Sequence, residues 1–134
     1  MTHFKKSEHL CLQKEIDALF VARSGTVRSF PFIAIFRVMP VEEERAKVLL
    51  SVPKRRLRHA VDRNRTKRLL RESYRLNKDA FLAALPADVS VHIGFVWQAD
   101  EVATFDRVER KMREVLAALA QKLMNVGAKK DGEN

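Results

Sequence analysis

Between Lys54 and Arg75 the chain places ten basic residues against two acidic ones, a net of +8 within 22 residues, out of +9 for all 134. A stretch this charged cannot be buried on every side, because an apolar interior excludes unpaired charge. Yet it also carries Leu69, Leu70, Tyr74 and Leu76. Winding it at about 100° per residue from Arg63 places Lys67, Arg71, Asn64, Arg75 and Arg68 within an arc about 140° wide. Leu69, Leu70 and Tyr74 are expected to dock on the rest of the fold. Arg63, Lys67, Arg68 and Arg71 are expected to face outward, with Arg65 at the boundary. The segment therefore demands a one-sided helix, from about His59 to Leu76, lying on a core with its far side open to solvent.

The rest of the chain supplies such a core. Ser7 to Arg23 reads as a helix, with Leu12, Ile16, Leu19 and Phe20 at helical spacing, Ser7 as its cap and Gly25 at its end. Phe30 to Val38 reads as a strand, with a shorter pairing stretch at Thr26 to Ser29. The acidic loop Glu42, Glu43, Glu44 follows. Ala46 to Val52 alternates, with Val48, Leu50 and Val52 on one face, and Pro53 ends it. Asn77 to Leu85 reads as a short helical extension closed by Pro86. In Val89 to Trp97, alternate positions are Val, Val, Ile, Phe and Trp, the pattern of a strand. Thr104 to Met124 is the last helix, with Phe105, Val108, Met112, Val115, Leu116, Leu119 and Leu123 in one stripe. Residues 126–134 read as a frayed tail. The expected fold is α+β: a single domain over 1–134, a small α/β sandwich in the order α-β-β-β-α-β-α. Its helices lie on a mixed four-stranded sheet with a βαβ crossover. General chirality favours the right-handed form of that crossover.

Composition narrows the function. The concentrated charge points to a polyanionic partner. The lone Cys11 excludes an internal disulfide and a multi-cysteine zinc site. No apolar run is long enough to span a bilayer, and the first ten residues lack the apolar region of a secretion signal, so a cytoplasmic, reducing location is expected. His3, His9, His59 and His92 show no metal-ligand spacing, and His92 is expected on the strand's exposed side. Asp100, Glu101 and Asp106 fit a loop and the first turn of the last helix, where acidic groups complement the helix dipole. No catalytic residue and no metal ligand is assigned. A duplex-DNA regulator is disfavoured, because no helix is placed as a helix-turn-helix partner.

The stretch Leu50-Ser51-Val52-Pro53-Lys54-Arg55, followed by Ala60-Val61-Asp62-Arg63-Asn64-Arg65-Thr66-Lys67-Arg68-Leu69-Leu70-Arg71-Glu72, resembles the signature of the bacterial ribonuclease P protein subunit. Phe4-Lys5-Lys6, the Ile16/Phe20 helix, the later strand and the last helix extend the resemblance over nearly the whole chain. It departs from the family at Arg56-Leu57-Arg58-His59, one residue longer than the stretch in which many members carry a glycine, and in a more aliphatic cleft. The resemblance implies a left-handed crossover and a non-catalytic subunit of an endoribonuclease whose active site is in RNA. Its cofactor would be the catalytic RNA, with Mg²⁺ held mainly by that RNA. Its partners would be ribonuclease P RNA and precursor tRNA, with no DNA and no membrane. Carried over by position, Lys54, Arg55, Arg56, Arg58, Arg63, Asn64, Arg65, Lys67, Arg68 and Arg71 would bind RNA. Ile16, Phe20, Phe32, Ile35 and Phe36 would form the cleft for the 5′ leader, with core packing as the alternative role for Phe20 and Phe36. The basic helix by itself also fits a ribosomal or other structured-RNA-binding protein without a processing role.

Overall fold

In the computed structural model, residues 4–132 are described, with side chains up to Asn125. A 3-10 turn at Lys6–Glu8 leads to α1 (Gln13–Val21), β1 (Gly25–Ser29), β2 (Phe32–Pro40), β3 (Ala46–Ser51), α2 (Ala60–Ala84), β4 (Val89–Trp97) and α3 (Phe105–Gly132). The four strands form one sheet in the order β1-β2-β4-β3. β2 pairs antiparallel with β1 and with β4, whereas β3 pairs parallel with β4. The connection β3–α2–β4 is therefore the expected crossover between parallel neighbours.

β4 sits between two strands and is buried along its full length. Its β-branched and aromatic residues suit a pleated surface covered on both faces. Val91, Ile93, Phe95 and Trp97 point into the main core, together with Phe32, Ala34 and Phe36 of β2. α2 contributes Leu70, Tyr74 and Phe81 to that core, and α3 contributes Val108, Met112, Val115, Leu116, Leu119 and Leu123. On the opposite face lies a smaller cluster of Leu10, Leu19, Ile35 and Val96, against which Ile16, Ile33 and Leu49 pack. This second face is the one that α1 covers. At Gly94 of β4, Leu19 comes so close that an added Cβ would lie 3.1 Å from its Cδ2.

The N-terminal helix is shorter than the periodicity predicts. The expected Ser7–Arg23 helix is interrupted, because residues 9 and 10 run beside the open edge of β3. His9 bridges in parallel to Val48, and the Leu10 N–H donates to the Val48 carbonyl at 2.9 Å. An open strand edge has unpaired backbone groups, and satisfying one of them outweighs continuing the helix. Ser7 caps nothing; its hydroxyl donates to Glu44 at 2.6 Å. Nearby, Glu8 and Lys78 are both buried and form an ion pair of 2.7 Å that ties this segment to α2.

At the other helices the differences are simpler. The stretch from Asn77 is no separate element but the continuation of α2 as far as Ala84. The backbone of α3 stays helical to Gly132, through most of the expected frayed tail; residues 133–134 lie outside the described residues. No described helix is long and apolar enough to cross a membrane.

Candidate nucleic-acid interface

The basic residues reach the surface because α2 buries only one side. Its buried residues are Thr66, Leu70, Ser73, Tyr74, Lys78 and Phe81. Thr66 and Ser73 are accommodated there because each hydroxyl donates to a backbone carbonyl within the helix, Asp62 at 2.8 Å and Leu70 at 3.0 Å. On the other side Asn64, Arg65, Arg68 and Arg71 are exposed and Lys67 is half-buried. Lys54, Arg55 and Arg58, in the turn before the helix, are exposed as well. Among the described residues none of these cations is paired with a carboxylate. Arg75 is different, since it forms a forked pair with Glu72. The hydrogen bond from Arg75 holds the Glu72 carboxyl below its ordinary pKa.

Two of the expected RNA-binding arginines are turned to other work. Arg63 does not face outward: it is half-buried, and its Nη1 donates to the carbonyls of Leu57 at 3.0 Å and Arg58 at 2.8 Å. It therefore fixes the turn that carries Arg55 and Arg58. The periodicity contains the reason, because Arg63 lies on the helix between Leu70 and Tyr74, both fully buried. Arg65, assigned to the boundary, lies instead on the exposed side. Arg56 is half-buried, with Nη1 3.4 Å from Asp100. The ridge thus comprises Lys54, Arg55, Arg58, Asn64, Arg65, Lys67, Arg68 and Arg71, with Arg63 beneath it as a brace.

A shallow groove of about 370 Å³ runs along this ridge between Arg65, Arg68, Leu69 and Glu72 of α2 and Phe105 of α3. The sequence placed Phe105 in the core stripe of α3, but here it is only partly buried. At another edge Arg71 comes close enough to His9 to influence it. Burial lowers the His9 pKa, the Arg71 charge lowers it further, and Glu8 opposes both.

The expected leader-cleft residues do not come together. Ile35 is buried on the α1 face, with Ile16 packed partly against the same cluster. Phe20 lies on α1 and is 38% exposed. Phe32 and Phe36 project from the other face of β2 into the main core. Strand alternation is the reason: positions 32, 34 and 36 share one face, and 33 and 35 share the other. Phe32 stacks near Trp97 and meets Phe95 edge-on, so it belongs to the core and not to a cleft floor. His92 is also not where expected. It is fully buried on the α1 face, with Nε2 2.9 Å from Glu42 Oε1.

Comparison with known proteins agrees with this architecture. The family model described as Ribonuclease P matches residues 4–120. The ribonuclease P protein component of Porphyromonas gingivalis is 40% identical over 119 residues, covering 86% of this chain and 85% of that protein. The same component of Chlorobaculum tepidum is 38% identical over 80 residues, covering 54% of this chain and 52% of that protein. Among solved structures, the RNase P protein of Staphylococcus aureus superimposes with a TM-score of 0.66 at 18% identity, covering 85% of this chain and 96% of that one. That of Thermotoga maritima, in complex with a fluorophenyl thiourea, gives 0.63 at 20% identity, covering 81% and 96%. The last two likenesses show a shared fold. With the match to the family over most of its length, the chain belongs to the ribonuclease P protein family.

Proposed function

We propose that this chain binds the catalytic RNA of ribonuclease P through the α2 ridge and assists removal of the 5′ leader from precursor tRNA, while the RNA itself holds the active site. The observation that carries the reading is the row of cations that, among the described residues, pair with no carboxylate: Lys54, Arg55 and Arg58 in the turn before α2, then Arg65, Lys67, Arg68 and Arg71 along one side of a helix whose other side is core. Arginine forks match phosphate oxygens in pairs, and Asn64 among them adds hydrogen-bonding geometry without charge. Basic residues on a rigid helix suit a folded RNA, whose phosphates are themselves fixed in space. The Mg²⁺ ions of the reaction are held mainly by the RNA, and the complex works in the cytoplasm.

The leader would cross the α1 side of the molecule. With Phe32 and Phe36 in the core, Phe20 is the aromatic of the expected cleft set that remains accessible for stacking. One aromatic platform is worth about 1–3 kcal/mol per base, so contacts to the leader backbone carry the rest. Reconstitution tests the proposal: precursor tRNA, catalytic RNA and protein are combined, with each omitted in turn. The protein alone should leave precursor intact, and its addition should lower the Mg²⁺ that the RNA needs. Cleavage by the protein alone, or no effect on the RNA, contradicts the reading. Binding to ribosomal RNA in preference to the ribozyme would favour a structured-RNA-binding role without processing.

A further inference from the structure

The α1 face of the sheet holds a group of side chains that the α2 ridge does not use. His92 stands in β4, fully buried. Its Nε2 is 2.9 Å from Oε1 of Glu42 and 3.9 Å from Oε2 of Glu15. One ligand atom from each of the three residues lies within 4.8 Å of the others. Three separate elements deliver them: Glu15 comes from α1, Glu42 from the loop after β2, and His92 from the central strand. The loop is held in place, since the Glu42 N–H donates to the Ser90 hydroxyl at 2.7 Å. Glu15 and Glu42 also line an open cavity of about 690 Å³, which gives a solute a way in.

Two carboxylates facing one imidazole nitrogen form an imbalanced group. Only one of them can accept the single Nε2 proton. The other is left with Lys47, whose Nζ is 3.7 Å from Glu15. Lys47 on β3 and Arg37 on β2 are the cross-strand neighbours of His92. The spacing suits a metal ion: donors bound at about 2.0–2.2 Å from a tetrahedral ion sit about 3.3–3.5 Å apart. The two measured separations from His92 fall on either side of that value. Nδ1 on the far side of the ring is buried and, among the described residues, has no hydrogen-bond partner. With the ring proton on Nδ1 the Nε2 lone pair is available to a metal; that proton would be buried without an acceptor, a cost that metal binding must exceed. One imidazole nitrogen with two carboxylate oxygens favours a first-row transition ion over Mg²⁺ or Ca²⁺. Three protein ligands also leave a coordination position for water.

We propose that Glu15, Glu42 and His92 bind one divalent transition-metal ion of the Zn²⁺ class, which pins α1 and the loop after β2 onto the sheet. The site is independent of the RNA-binding reading. Positions 15, 42 and 92 are too far apart in the sequence for any spacing motif to reveal them.

The test is a titration of the full-length protein, without RNA, with ZnCl₂ and separately with MgCl₂. It is followed by calorimetry and thermal melting, with Co²⁺ as a spectroscopic probe. The expected result is one Zn²⁺ per chain, a raised Tm, and a visible Co²⁺ absorption band that Zn²⁺ abolishes. Glu15→Gln and Glu42→Gln should keep the far-UV spectrum of the folded chain and each weaken Zn²⁺ binding at least about tenfold. Lys47→Gln should tighten it by releasing Glu15, and Cys11→Ser should leave it unchanged. Absence of saturable Zn²⁺ binding, or an affinity unaffected by both glutamate substitutions, overturns the proposal. Either result leaves the family assignment and the RNA reading untouched, because no RNA is present.

Discussion

The two faces of the sheet are built from the same strands and do different work. The face under α2 and α3 is dry and apolar, with Phe32, Phe95, Tyr74 and Trp97 locked against aliphatic side chains from both helices. The face under α1 has a small apolar cluster, and beside it a buried histidine, two glutamates and a lysine. Burial of apolar area is the main source of stability, so the first face holds the fold and carries the α2 ridge on its back. The second face keeps polar groups in reach of solvent, where ligands can find them.

The largest effect should come from the apolar face. Phe95→Ala leaves a cavity beneath both long helices and should cost about 3–5 kcal/mol, measured by urea unfolding. A loss no greater than that of an exposed-site substitution would mean this face is not the foundation. Next comes Glu8→Ala, which removes the carboxylate that faces the buried Lys78 ammonium. Removing one partner of a buried pair costs about 3–5 kcal/mol, so thermal melting should show a large drop. Glu8→Leu combined with Lys78→Met should recover much of it.

Gly94→Ala sharpens the contrast from the other side. Its new Cβ would lie 3.1 Å from Leu19, and the crowding should cost about 1–2 kcal/mol and shift α1 outward. Binding of the catalytic RNA should be preserved, while the preference for precursor over mature tRNA falls. An unchanged preference would separate the leader from this face. The smallest expected effect is at His9. Its pKa lies below the ordinary 6.5, from burial first and Arg71 second. A histidine with a lowered pKa in the folded state opposes folding once the unfolded state begins to protonate, so stability falls as pH drops through about 6.5. Arg71→Gln should raise the His9 pKa toward its ordinary value in an NMR titration and lessen that acid-side loss. An unmoved pKa would show that the two groups do not interact.

The architecture was largely legible because strand alternation and helical periodicity are local. β4, the α2 ridge and the apolar stripe of α3 all follow from spacing in the chain. What escaped depends on partners distant in sequence. The break between the 3-10 turn and α1 exists because β3 offers an edge to residues 9 and 10. Buried Lys78 meets Glu8, seventy residues earlier. His92 looks like the polar side of an alternating strand until α1 and Glu42 cover it. Two further placements are set by local spacing alone. The alternation of β2 already sets Phe32 and Phe36 opposite Ile35, and Arg63 falls between Leu70 and Tyr74 on the helix wheel.

The central claim is that the α2 ridge grips RNA through phosphate contacts. It is tested most directly by the dependence of catalytic-RNA affinity on salt concentration, compared between the wild-type chain and Arg65→Ala and Arg68→Ala. Each substitution should weaken binding and make the plot of log K against log salt shallower by about one unit. A slope identical to that of the wild type in both variants would show that these arginines do not touch phosphate, and would contradict the account.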